Sequence, residues 1–107
     1  MDYQERFSDA ELETIAEQGA IYTCVCPASV ADALRKIRAL YRYQQSCLQG
    51  EGNDPLVHQT IAHSAAVTHA ELEDCMEKIL VIEKWDRTTL QMPDNLRAQQ
   101  MQTLLED

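Results

Sequence analysis

The sequence PLVHQTIAHSAAVTHAELEDCMEKIL fills residues 55–80 and has the apolar spacing of a long amphipathic helix. Neither Gly nor Pro occurs from residue 56 to residue 90, so the composition offers no stop signal over this range. Pro55 suits the first turn of a helix, and Asp54 before it suits the capping position. We therefore predict one long or gently kinked helix of about 35 residues, near 52 Å at about 1.5 Å per residue.

One signal inside this stretch favours two helices instead of one. Thr68 stands three residues before Glu71, which is capping-box spacing, and Val67 and Leu72 have the spacing of a hydrophobic staple. A break at Thr68 is therefore the alternative to a continuous helix.

A similar phrase occurs near the N-terminus and predicts a short helix over about residues 9–18. Ser8 stands three residues before Glu11, and Phe7 and Leu12 occupy the staple positions. Gly19 is a natural end for this helix. The phrase recurs because it starts helices, so it indicates architecture rather than an internal duplication.

Residues 20–26, AIYTCVC, alternate between apolar and polar side chains and are rich in strand-forming residues. No second strand is visible for them to pair with. We interpret them as an extended connector, or as an edge that pairs with its own copy in a dimer.

The clearest helix spans residues 27–48, and Gly50 closes it. Its apolar stripe repeats every three to four residues and comprises Val30, Ala33, Leu34, Ile37, Leu40, Tyr41, Gln44, Cys47 and Leu48. With the next helix it forms an antiparallel helical hairpin over residues 27–92, flanked by the short helix and connector of residues 1–26. Residues 93–107 form a C-terminal amphipathic helix. The sequence therefore predicts a single all-α domain over residues 1–107.

The segment of residues 55–70 carries no formally charged side chain. Its small residues permit close approach of another helix, and an uncharged surface of this length is unusual in contact with water. We predict that a second subunit buries Ala62, Ala65 and Ala66, so that the hairpin assembles as a homo-oligomer into a four-helix-type bundle.

Net charge and composition exclude several classes of partner. A formal charge of −9 disfavours nucleic acid, which requires a basic surface. No stretch approaches the roughly 20 apolar residues of a membrane span. The N-terminus has acids where a secretion signal needs basic residues, so we expect a cytoplasmic protein without membrane contact.

The cysteines support an alternative hypothesis, a thiol-based metal-binding or redox protein. Cys24 and Cys26 form a C-x-C pair before a helix, where the dipole stabilises a thiolate. A soft transition metal such as zinc or copper would take ligands from Cys24, Cys26, Cys47 and His63, with Cys75 as a further thiol. The spacing fits no known zinc or iron–sulfur signature, and buried structural thiols are the simpler interpretation.

A basic row follows from the spacing of Arg35, Arg38 and Arg42, which are three and four residues apart. These side chains are candidates for interaction with an anionic ligand. The acidic residues of segment 71–77 offer them ion-pair partners, within the chain or across an interface, as the plainer alternative.

No motif for a catalytic nucleophile, phosphate loop or metalloprotease is present, so no catalytic residue is identified. The sequence favours a non-enzymatic, self-associating helical protein that acts as an adaptor or regulator by binding another protein.

Overall fold

The structure is a computed structural model, and it describes residues 3–21, 26–48, 50 and 54–93. Three α-helices follow one another: α1 (Asp9–Ile21), α2 (Cys26–Leu48) and α3 (Pro55–Ile82). The described residues contain no β-strand. This confirms the predicted all-α class for them. The predicted helix over residues 93–107 lies outside this part of the chain, apart from Pro93.

The start of α1 agrees with its sequence signal. The Ser8 backbone N–H donates to Glu11 Oε1 at 2.9 Å, and the Glu11 N–H donates to Ser8 Oγ at 3.0 Å. This reciprocal pair satisfies two donors at the helix start. Phe7 and Leu12 are both fully buried, as the hydrophobic staple predicts.

The predicted end of α1 at Gly19 is wrong, because the helix continues to Ile21. A Cβ built on Gly19 would lie 2.5 Å from the Ala28 Cβ of α2. The glycine therefore lets the two helices approach closely instead of ending the first one. The predicted extended connector overlaps helical residues at both ends, and its residues 22–25 lie outside the described part of the chain.

One continuous helix forms over α3, so the break at Thr68 does not occur. Asp54 caps it, and its Oδ1 accepts from the Leu56 N–H at 3.0 Å. The Thr68 hydroxyl donates to the Ser64 carbonyl at 2.8 Å, a bond inside the helix. The capping signature at Thr68 is therefore present in the sequence but does not start a new helix.

The helix ends earlier than predicted, at Ile82, after 28 residues. Lys84 adopts a positive φ of 61°. The Lys84 N–H donates to the Val81 carbonyl, and the Trp85 N–H donates to the Leu80 carbonyl at 2.9 Å. These are the two bonds of a Schellman ending, which glycine usually forms and a lysine forms here.

The apolar core lies at one end of the hairpin, where α2 begins and α3 ends. It comprises Phe7, Leu12, Ile15, Ala31, Leu34, Met76, Leu80, Trp85, Leu90 and Met92. The segment after α3 folds back onto this core, and the Arg87 guanidinium lies 4.1 Å from the centre of the Phe7 ring. The molecule is elongated, with extents of 59 × 24 × 18 Å.

Among the described residues, no helix combines the length and the apolar character needed to cross a membrane.

Candidate functional site

A buried polar cluster joins α2 to α3. Arg38, His69 and Glu73 are each 1% exposed. The Arg38 Nε donates to His69 Nε2 at 2.9 Å, and the Arg38 Nη2 donates to Glu73 Oε2 at 3.2 Å. Such a pair is tolerated in the interior only because each charge meets its opposite and the remaining polar atoms are satisfied.

This cluster binds the backbone of residues 3–8, which we call the N-terminal segment. Glu73 Oε2 accepts from the Arg6 N–H at 2.7 Å and from the Phe7 N–H at 3.2 Å. Arg38 Nη2 donates to the Phe7 carbonyl. Two side chains of the hairpin therefore satisfy backbone polar groups of Arg6 and Phe7, at the point where the N-terminal segment enters the interior.

An outer layer of ion pairs surrounds the cluster. Asp9 Oδ1 accepts from Arg38 Nη1 at 2.9 Å, and Arg42 donates to Glu5 at 2.7 Å and to Asp9 at 3.2 Å. Hydrogen bonds from Arg42 and Arg38 lower the pKa of Asp9. Burial alone would raise the pKa of Glu5, but hydrogen bonds from Tyr3 and Arg42 outweigh it and the pKa is lowered. Both carboxylates therefore remain charged and paired at neutral pH.

An aromatic contact covers the cluster from outside. The Tyr3 ring stacks on Tyr41 with centroids 3.9 Å apart, and its centroid lies 4.9 Å from that of His69. Burial and the hydrogen bond to Glu5 raise the pKa of Tyr3. The N-terminal segment thus closes over His69 with a neutral tyrosine.

His69 is held in its neutral form. Burial lowers its pKa; Glu73 opposes this effect and Arg38 adds to it, with a net downward shift. Because Nε2 accepts from Arg38, we assign the ring hydrogen to Nδ1, which lies 3.7 Å from Glu73 Oε1. The nitrogen lone pair is therefore engaged, and the cluster anchors a segment instead of presenting a base to a substrate.

The three arginines of the basic row have three different environments. Arg35 lies 3.7 Å from Asp32 in an exposed pair, Arg38 is buried, and Arg42 is half-exposed. The predicted pairing with segment 71–77 is confirmed for Arg38 and Glu73. The prediction missed the N-terminal acids Glu5 and Asp9. Residues 1–19 carry six acids and one arginine, whereas residues 30–49 carry four basic residues and one acid, so the opposite charges of the two segments were a usable signal.

Two of the predicted metal ligands, Cys26 and Cys47, do not come together within one chain. Cys26 and Cys47 lie near opposite ends of α2, 21 residues and about 31 Å apart at about 1.5 Å per residue, so they cannot share one ion. His63 is exposed on α3, and Cys24 lies outside the described residues. In the part of the chain that the structure describes, no group of three or more metal-ligating side chains forms.

The alanines of α3 are buried, but their own chain covers them. Ala62, Ala65 and Ala66 are 4–6% exposed in the single copy. Ala62 and Ala66 line a groove together with Tyr41 and Leu48 of α2. Small side chains allow α2 to approach closely, so their burial does not require a second subunit. The prediction that a second subunit buries these three alanines is therefore wrong.

A second row of side chains on each hairpin helix is entirely uncharged. The positions alternate by three and four residues, as in a coiled-coil seam. We call this surface the uncharged face; it comprises Val30, Ala33, Ile37, Leu40, Gln44 and Cys47 of α2 and Ile61, Ala65, Thr68, Leu72, Cys75, Ile79 and Ile82 of α3.

The uncharged face lies on the side of the hairpin away from the N-terminal segment; Gln44 and Ala65 are buried at its base, whereas other positions reach the surface. Ile37 and Leu40 of α2 and Ile61 and Thr68 of α3 line a shared groove of about 300 Å³. Leu40 is 44% exposed and Ile82 is 75% exposed. The N-terminal segment binds the opposite side, through Arg38 and Glu73. Sequence reasoning merged this row with the buried one, because the two rows are adjacent on each helix.

Comparisons with known proteins assign no family to this chain. No protein-family model, curated protein or solved structure matches it.

Proposed function

We propose that this chain is a small cytoplasmic protein that self-associates through the uncharged face into a four-helix-type bundle and acts as an adaptor or regulator by binding another protein. The hairpin supplies two helices of that bundle, and a second copy supplies the other two. No step of chemistry is assigned to it.

The composition of the uncharged face carries this proposal. In a chain with 25% charged residues, none of its positions holds Asp, Glu, Lys or Arg. Seams of this spacing are the contact surfaces of helical bundles, because they keep apolar side chains on one side over many turns. Burial of apolar surface contributes a stabilising free energy of about 25 cal/mol for each Å², and a face left in water lacks this contribution.

Net charge supports the same surface as the contact. Two copies each carrying −9 repel one another wherever charged surfaces meet. An uncharged contact avoids this cost. The N-terminal segment covers the other side of the hairpin, so the uncharged face is also the side with room for a second copy.

The outer edge of α3 supplies a surface for a further protein. Leu56, Val67 and Val81 are 71%, 40% and 77% exposed. Their separations of 11 and 14 residues place them along one side of the helix, off the uncharged face. These apolar side chains remain accessible when two copies pack face to face, and we assign them to the contact with the further protein.

A matched pair of substitutions tests the assignment. Leu40→Glu places a charge on the uncharged face, whereas Val67→Glu places one at a similarly exposed site on the outer edge. We expect Leu40→Glu to give monomers in native mass spectrometry and Val67→Glu to keep the mass of the unmodified protein. Equal masses for both variants and the unmodified protein would refute the uncharged face as the contact.

A further inference from the structure

We propose that the second copy packs on the uncharged face with both α2–α3 connections at the same end, so that Lys36 forms an ion pair with Glu71 of the second copy. Each α2 then runs antiparallel to α3 of the other copy. This inference rests on the proposed self-association and specifies its geometry.

Contacts within the hairpin show which residues lie level with one another. Arg38 of α2 lies opposite His69 of α3, with 2.9 Å between their nitrogens. Because the helices are antiparallel, moving two residues back along α2 and two residues forward along α3 reaches the same level. Lys36 and Glu71 are therefore at the same height along the hairpin.

Both residues flank the uncharged face. Lys36 directly precedes Ile37, and Glu71 directly precedes Leu72. In coiled coils, charged residues at such positions beside the seam form ion pairs between helices, and these pairs determine which helices associate and in which orientation. Both are exposed. They belong to the outer edges of different helices, and neither takes part in an ion pair within the described part of the chain.

Two symmetric arrangements place the uncharged faces together. In the first arrangement the α2–α3 connections lie at opposite ends and the two copies overlap along their full length. Each α2 then faces α2 of the other copy, so Lys36 approaches Lys36 and Glu71 approaches Glu71. With the connections at the same end, α2 faces α3 of the second copy, so Lys36 approaches Glu71 twice by symmetry. Opposite charges attract and like charges repel at this distance, which favours the second arrangement.

The remaining flanking positions are compatible with that arrangement. Ser29 and Tyr43 are the neighbouring flanking residues of α2, and Ser64 and Lys78 are those of α3. None of these creates a like-charge contact when α2 lies against α3 of the second copy.

Charge reversal tests the pair. Lys36→Glu and Glu71→Lys each turn two attractive contacts into two repulsive ones. We expect each single variant to raise the dissociation constant on the order of ten- to thirtyfold at low salt. An equimolar mixture of the two variants restores both attractions. If one variant is uniformly labelled with nitrogen-15, so that the dimers differ clearly in mass, native mass spectrometry should show the mixed dimer in large excess over either homodimer. Circular dichroism of each variant confirms that the helices are retained.

The outcomes separate this inference from the one it rests on. A dimer in which both single variants bind as tightly as the unmodified protein, or in which the mixture gives a statistical distribution, overturns the Lys36–Glu71 geometry and leaves self-association standing. An unmodified protein that stays monomeric at every concentration overturns both. A higher salt concentration should shrink the difference between the variants, because screening weakens the contact.

Discussion

Arg38 and Glu73 hold each other at 3.2 Å in the interior, each 1% exposed, and both also bind the backbone at Phe7. The pair therefore connects α2, α3 and the N-terminal segment at one point. Removing one member leaves the other charge buried without its partner, which is far costlier than losing a surface pair.

We expect Arg38→Ala to lower the free energy of unfolding by about 3–5 kcal/mol. Arg35→Ala is the matched control, because Arg35 pairs with Asp32 at the surface and is 43% exposed. Its loss should cost no more than about 0.5 kcal/mol. Urea denaturation of both variants measures the difference. A cost for Arg38→Ala within about 1 kcal/mol of the control would show that the cluster does not anchor the fold.

Stability should fall as the pH drops below the ordinary histidine pKa of 6.5, because burial lowers the pKa of His69. The unfolded chain then binds a proton that the folded chain does not, so acid favours unfolding. Once the pH has passed below the folded-state pKa, this contribution stops growing. The lowered pKa values of Glu5 and Asp9 act in the same direction, but only near and below pH 4.5.

Urea denaturation from pH 8 to pH 5 measures this slope. His69→Gln should remove most of it, whereas His63→Gln, at an exposed position of the same helix, should leave it unchanged. A slope that is absent from the unmodified protein, or that persists undiminished in His69→Gln, contradicts a neutral buried His69.

Gly19→Ala should destabilise the protein, although alanine normally favours a helix over glycine by about 1 kcal/mol. The new Cβ would lie 2.5 Å from the Ala28 Cβ, so α1 and α2 must move apart. We expect a loss of about 1–3 kcal/mol. Adding Ala28→Gly should recover part of it by removing the clash. Thermal unfolding of the single and double variants checks this, and a stabilised single variant would disprove the close contact.

Local signals predicted the parts of the fold that local interactions determine. The capping box at Ser8 and the cap at Asp54 need only neighbours in sequence, and both form. The end of α1 depends on Ala28, nine residues beyond Gly19, and the end of α3 depends on a lysine taking a backbone conformation that glycine prefers. No pattern within one helix contains that information.

Sequence spacing likewise predicted one part of the candidate site and not the rest. The spacing of Arg38 predicted a charged row, but the choice of Glu73 over the neighbouring acids depends on the rotation of α3 against α2. The partners Glu5 and Asp9 come from a segment whose docking sequence spacing does not predict. The alanines of α3 show a different error. Their burial was attributed to a second copy, but they are already buried in a single copy.

The mass of the unmodified protein in solution tests the central proposal most directly. Analytical ultracentrifugation over a concentration series should show a species of twice the 12.2 kDa chain mass, with a dissociation constant below about 10 µM. A single species of one chain mass up to about 100 µM would contradict self-association through the uncharged face.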